Sequence, residues 1–273
     1  MKKIAALMVF FVFIFAGCSG GNVPASNESK SLSNKTLGWG FRRTEKGPEF
    51  SKEQIHQMTE NGCIYKENTD EKNIFLTFDE GYENGYTGII LDILYEKGVE
   101  AAFFVTGQYV RENPDMVKRM EREGHIIGNH TVNHPSLPSV EDEKLKKELL
   151  ELDRLVYGIT GQKTKYLRPP KGEYSERTLK LTSDMGYINV FWSDTYVDWN
   201  NDVSREKAHN TVVKNLHSGE VLLLHAVSKG NSEALSDIID TARKNGYTFK
   251  SLDEYKFIPF GNSPQVVQNN KKN

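Results

Sequence analysis

From residue 73 onward the chain alternates two hydrophobic patterns. Short, nearly continuous apolar runs stand at 74–79, 100–105, 125–129, 165–168, 188–193, 220–225 and 247–250. Between them lie stretches at 86–97, 114–123, 141–158, 175–185, 204–217 and 232–245 whose apolar residues recur at helical spacing. The first pattern predicts strands buried on both faces, the second amphipathic helices. Local signals agree. Asn113 precedes a proline at the first helical position, and Ser204 and Asn231 or Ser232 are further candidate caps. Gly98, Gly124, Gly186 and Gly246 stand where helices should stop. Strand followed by helix, repeated, predicts a parallel sheet or barrel. In such folds the reactive groups gather at the C-terminal ends of the strands.

The first 72 residues follow a different plan. Lys2 and Lys3 precede an unbroken apolar run, Ile4 to Ala16, too short to span a bilayer comfortably. The run ends in Phe15-Ala16-Gly17-Cys18, which resembles a bacterial lipobox with Phe in place of the usual Leu. Residues 1–18 are therefore expected to be an export signal, with Cys18 as the site of lipid attachment. That implies an extracytoplasmic protein anchored by its lipid to the outer face of the cytoplasmic membrane. Residues 19–36, rich in Ser, Gly and Asn, read as a flexible tether. Residues 37–71 are expected to pack onto the following domain through Trp39 and Phe41, with a short helix near 52–60. The domain itself runs over 72–260, and 261–273 is a loose polar tail.

Composition narrows the choice of partner. The 273 residues carry a net charge of −2 with both signs interspersed, which gives no basis for binding nucleic acid. Two cysteines make no disulfide framework, and lipidation of Cys18 would leave Cys63 without an intrachain partner. A monomer is expected.

Chemistry-bearing residues sit at five strand ends. The first strand ends on adjacent carboxylates, Asp79 and Glu80, before Gly81. Like charges this close push their pKa values apart, so that one can act as a base while the other holds a cation. The third runs into His130-Thr-Val-Asn-His134. Two His four apart on a helical turn would share a face and could hold one divalent cation. With seven His in the chain such a pair arises easily by chance, so its weight comes from its position beside Asp79 and Glu80. The fourth ends in Arg168-Pro-Pro-Lys-Gly172, a rigid turn whose Arg can grip a carboxylate. After the fifth come Phe191 and Trp192, read as core, Asp194, left open between roles, and Asp198-Trp199, an acid beside a platform for sugar rings. The sixth is a run of leucines ending in His225, partly desolvated and tunable near neutral pH. His56, His125, His209 and His217 read as structural.

Taken together and in this order, the five motifs resemble the polysaccharide deacetylase family, carbohydrate esterase family 4, also called the NodB homology domain. They are Thr77-Phe-Asp-Glu-Gly81, His130-Thr-Val-Asn-His134, Arg168-Pro-Pro-Lys-Gly172, Asp198-Trp199 and Leu223-Leu-His225. Trp39-Gly-Phe-Arg-Arg43, Gly81-Tyr-Glu-Asn-Gly-Tyr86 and Tyr247-Thr-Phe-Lys-Ser251 further resemble one branch, the delta-lactam-biosynthetic muramic acid de-N-acetylases of spore formers.

The resemblance implies a distorted (β/α) barrel and one divalent metal ion, zinc being the first choice. It implies de-N-acetylation of the peptidoglycan glycan strand, on muramic acid already stripped of peptide, in the spore cortex. It makes Asp79 the base, Arg168 its partner, and His225, assisted by Asp198, the acid. His130 and His134 are metal ligands. Trp199, Lys171, Gly172 and Leu223 contact substrate, and Lys171 replaces the family's aromatic residue in a way that suits an anionic lactyl carboxylate. Glu80 stands where the family has a ligating Asp and this branch has Asn, so it enters as a candidate third ligand, one methylene longer. The alternatives are a deacetylase of N-acetylglucosamine or chitin, or an inactive lipid-anchored protein that only binds glycan.

Overall fold

The computed structural model describes residues 32–199 and 203–257. The expected export signal with Cys18, most of the tether and the polar tail lie outside the described residues. Three short strands, β1 (Leu37–Gly38), β2 (Arg42–Thr44) and β3 (Gly47–Glu49), precede α1 (Lys52–Glu60). Then follow β4 (Asn73–Glu80), α2 (Thr87–Lys97), β5 (Ala102–Val105), α3 (Gly107–Glu112), α4 (Pro114–Arg122) and β6 (Ile126–Asn129). After these come α5 (Asp142–Thr160), β7 (Tyr166–Leu167), β8 (Glu173–Tyr174), α6 (Glu176–Asp184) and β9 (Ile188–Asn189). The chain continues through α7 (Arg205–Asn215), β10 (Glu220–His225), α8 (Lys229–Lys244) and β11 (Thr248–Phe249).

The main sheet is parallel, in the order β10-β4-β5-β6-β7-β9, with β11 added at the start of β4. Past β9 the chain turns back to the first strand of that order. Asp194 bridges Leu222 of β10, Ser193 N–H donates to the Val221 carbonyl at 2.9 Å, and Leu223 N–H donates to the Asp194 carbonyl at 2.9 Å. The sheet thus curls closed into the expected distorted barrel.

The central strand β4 is buried along its whole length. Ile74, Leu76 and Phe78 pack outward with residues of α2 and α8, while Phe75 packs inward with Ala102, Phe104, Tyr166, Val190 and Val221. Burial on both faces is what the continuous apolar run encodes, each such side chain gaining about 1.5–3 kcal/mol over exposure.

Where pattern and structure differ, short range is the reason. The six residues of α3 are too few to display a helical period. The helix α8 begins at Lys229 rather than 232 because Ser228 caps it, its hydroxyl accepting from Asn231 N–H at 3.3 Å. Asn231 therefore lies inside the helix, buried. The ladders of β7 and β9 are only two residues long.

The N-terminal extension lies against the barrel wall. β1 pairs antiparallel with β8, and Trp39 N–H donates to the Gly172 carbonyl at 2.8 Å. Trp39, Met58, Cys63, Tyr65, Tyr174, Leu179 and Phe191 form one apolar cluster. Cys63 is a buried free thiol whose pKa burial drives far up, so it is an inert core residue.

Candidate active site

The registers of neighbouring strands bring the motif ends to one rim. His225 pairs with Asp79 across β10 and β4, and Glu80, Val105, Asn129 and Leu167 align across β4 to β7. His130 and Arg168 each follow the last residue of an aligned strand. Two adjoining lobes of a cavity, about 570 and 660 Å³, open above this rim. Asp79, His130, His134, Trp199 and His225 line both.

Arg168 is fully buried, with every nitrogen committed. Nη1 donates to Asp79 Oδ1 at 2.7 Å, Nη2 to Thr77 Oγ1 at 2.9 Å, and Nε to the Val190 carbonyl at 3.2 Å. Its guanidinium lies over the Phe104 ring, 4.1 Å from the centroid. Burial alone would raise the pKa of Asp79. Arg168, by its charge and its hydrogen bond, outweighs it with help from the neighbouring imidazoles, and Asp79 is held below the usual carboxylate range. One oxygen is spent on Arg168; the other stands 3.6 Å from His130 Nε2.

The loop holding the two imidazoles is not a helical turn. Thr131 and His134 adopt φ of 66° and 54°, rare for residues with side chains. Bonds to Glu148 and one within the loop hold it there. Glu148 accepts from Asn133 N–H at 2.8 Å and from its side-chain amide at 2.7 Å, and Thr131 Oγ1 accepts from His134 N–H at 2.9 Å. Gly107 presses against Val132 so closely that a Cβ there would meet its backbone at 2.9 Å. His130 Nδ1 lies 2.9 Å from the Arg168 carbonyl. A carbonyl only accepts, so Nδ1 carries the proton and Nε2 keeps its lone pair.

These residues fit a divalent cation. Two nitrogens bound at about 2.0–2.1 Å to one ion, at right to tetrahedral angles, stand about 2.9–3.4 Å apart. His130 Nε2 and His134 Nε2 are 3.1 Å apart. Burial lowers the pKa of both, that of His134 to about 4 with help from His130, so both hold the neutral, ligating form near pH 7. Among the described residues no set of three or more His, Cys, Asp or Glu side chains surrounds one point in a way that could hold an ion. The pair would supply two of such an ion's ligands.

Glu80, the candidate third ligand, is not brought to this cluster. Successive strand residues face opposite ways, and Glu80 is fully buried on the side of Glu83, Thr87 and Tyr109. It lines neither lobe. Among the described residues neither oxygen has a hydrogen-bond partner, although the Thr87 hydroxyl slightly eases its charge. Burial first, then Glu83 and Asp79, raise its pKa well above normal, so it sits there as a neutral acid.

Opposite the imidazole pair stands His225. Its Nδ1 is 2.7 Å from Asp198 Oδ1, and its backbone N–H donates to Oδ2 at 2.8 Å. Asn231 Nδ2 donates to the same Oδ2 at 2.6 Å. Burial works against the charge of His225, but the bond and charge of Asp198, aided by Asp79, raise its pKa overall. Trp199, half-exposed, meets the His225 ring edge to face at 5.1 Å.

Lys171, Gly172 and Leu223 line the larger lobe. Lys171 is exposed with φ of 60°, and Gly172 follows at φ of 66°, where a Cβ would strike Trp192 at 2.8 Å. Trp192, read from sequence as core, packs against the Trp39 cluster and also lines this wall. The pattern of residues missed Asn231, taken for a cap, and the clamp of Glu148 on the His loop. Neither carries a local signal, because each acts across more than a dozen residues of chain.

Residues 66–190 match the family model for polysaccharide deacetylase. The chain is 44% identical over 235 residues to the peptidoglycan-N-acetylmuramic acid deacetylase PdaA of Bacillus subtilis, covering 84% of this chain and 89% of the relative. The solved structure of PdaA, a family 4 carbohydrate esterase, superposes with a TM-score of 0.80 over 82% of this chain and 98% of that one. A family 4 carbohydrate esterase from Bacillus anthracis gives 0.71 at 47% identity, with the same two coverages. A peptidoglycan-N-acetylglucosamine deacetylase of Bacillus cereus is 34% identical over 67% of this chain and 68% of its own length.

Proposed function

Since the chain belongs to the polysaccharide deacetylase family, we propose that it hydrolyses the N-acetyl amide of peptidoglycan, on muramic acid freed of its peptide. In a spore former the product would feed the muramic lactam of the cortex. The observation that carries the choice of sugar is the likeness to a muramic acid deacetylase over most of both chains. The likeness to a glucosamine deacetylase is lower and shorter. An extracytoplasmic location follows from the substrate, and an export signal with a lipid on Cys18, as expected from the sequence, would fit it.

The reaction adds water to the acetyl carbonyl and breaks the C–N bond, giving acetate and a free amine. A divalent cation on His130 and His134, with zinc the first choice, would polarise that carbonyl and acidify the water. Asp79, kept ionised by Arg168, takes the proton of the attacking water. Pro169 and Pro170 have no N–H, so Lys171 is the first residue of that loop able to donate one to the developing oxyanion. His225, kept cationic by Asp198, gives a proton to the departing nitrogen across the cavity. Asn231 fixes Asp198, and Trp199 offers a face to the sugar ring.

The test is acetate release from purified peptidoglycan with and without prior removal of peptide. Release from the peptide-free glycan alone supports the reading. Release from N-acetylglucosamine polymers at an equal or higher rate would move the assignment to glucosamine. Binding without release would make the protein a glycan-binding member only.

A further inference from the structure

The stretch Trp39-Gly-Phe-Arg-Arg43 plays no part in the chemistry above, yet it delivers a side chain to the cavity. Arg43, on β2, lines the larger lobe together with Lys171 and His134. Its Nη2 donates to Asp194 Oδ1 at 2.5 Å and to the Thr195 carbonyl, and its guanidinium stands over the Phe41 ring at 5.1 Å. Asp194 is buried at 2% exposure, so one end of the guanidinium is pinned to the barrel wall. The Arg43 side chain nonetheless stays 44% exposed. Among the described residues Nε and Nη1 make no hydrogen bond, which leaves three N–H donors to offer.

Charge on this wall is one-sided. Besides His225, already engaged with Asp198, Arg43 and Lys171 are its cations. Among the described residues its one carboxylate, Asp79, is already paired with Arg168. Asp194, the partner of Arg43, lines a different and smaller cavity. Lys171 is held at a φ that few non-glycine residues adopt, between Pro170 and Gly172, and its charge is felt at His134. A neutral sugar needs neither cation. An anionic substituent near the N-acetyl group would use both.

We propose that Arg43 is a specificity-determining residue that binds a free carboxylate on the substrate sugar, namely the lactyl carboxylate of peptide-free muramic acid. The inference rests on the muramic reading above and gives it a physical cause. In peptide-bearing glycan that carboxylate is an amide and has no charge for Arg43 to meet. A pinned guanidinium has lost its rotamer freedom before substrate arrives, so the contact costs little ordering.

The test compares kcat/KM on two soluble glycans that differ at one group: a peptide-free muramic oligosaccharide, and the same molecule with its lactyl carboxylate converted to the methylamide. The protein as it stands should prefer the carboxylate at least about tenfold, the scale of one charge-assisted hydrogen bond. The preference should shrink as salt rises. In Arg43→Gln the ratio between the two substrates should collapse, chiefly through KM on the acid. A merely structural Arg43 would lower both substrates alike and leave the ratio intact, and that result overturns the proposal. Because Gln leaves Asp194 buried without its cation, Arg43→Lys is the second variant. It keeps the charge and should retain part of the ratio. Equal rates on both glycans by the unaltered protein sink the inference while leaving deacetylation standing. No acetate from either glycan sinks the functional reading itself.

Discussion

Two faces of the end of β4 carry two carboxylates one residue apart, with opposite fates. Asp79 faces the cavity, grips Arg168 and is held in its charged form. Glu80 faces the helices, meets Glu83, and is driven neutral. The residues differ by one methylene, yet the carboxyl of Asp79 is held charged and that of Glu80 is driven neutral. Surroundings assign the role, and strand alternation assigns the surroundings.

The contrast can be broken most directly at Asp79. Asp79→Asn should lower kcat by about 10²–10⁴, the usual worth of a positioned base. Bound divalent cation, measured by metal analysis, should stay near that of the unaltered protein, because the imidazole pair is untouched. Near-normal turnover would remove Asp79 from its role.

The next largest effect concerns the acid. The alkaline limb of kcat/KM against pH should report His225, whose raised pKa keeps it charged to higher pH than an ordinary histidine. Asp198→Asn removes the bond and charge that raise that pKa and leaves the burial that lowers it. The alkaline limb should therefore move to lower pH, with a smaller loss of rate at the acid end. An unmoved limb would place the proton donor elsewhere.

Glu80 should give the smallest effect on rate. Glu80→Gln keeps the shape of a neutral acid, so kcat and metal content should stay within about twofold of normal. Its mark should appear in stability. A carboxyl whose folded pKa lies above its unfolded value loses stability as pH rises from the unfolded value, near 4.5, toward the folded one. Each pH unit in that window costs up to about 1.4 kcal/mol. The melting temperature of Glu80→Gln should therefore gain on the unaltered protein between pH 5 and pH 8. A variant that loses its metal would return Glu80 to the ligand set.

Much of this was legible in the residues alone. The apolar runs gave the strands β4 and β10, and the order of strand-end motifs gave the meeting of Asp79, His130, Arg168 and His225. What stayed hidden was set by partners far along the chain. The twisted loop of Thr131 to His134 depends on Glu148 and Gly107, neither near it in sequence. The facing of Glu80 depends on how far the ladder of β4 continues past Asp79, which no period encodes. Trp192 serves as core on one side and as cavity wall on the other, and only the first role shows in its composition. Arg43 stood in a quoted motif, but only Asp194, far downstream, fixes where its guanidinium goes.

The small antiparallel pairing of β1 with β8 has a practical side. A gene shortened to begin at the main barrel would still encode every residue proposed above to move a proton or hold a cation. It would also strip the greasy flank of Tyr174 and Phe191 of its cover and leave the backbone of β8 with an open edge. Such a fragment invites clumping during expression, so the productive boundary lies upstream of Leu37, in a stretch with no catalytic letter in it.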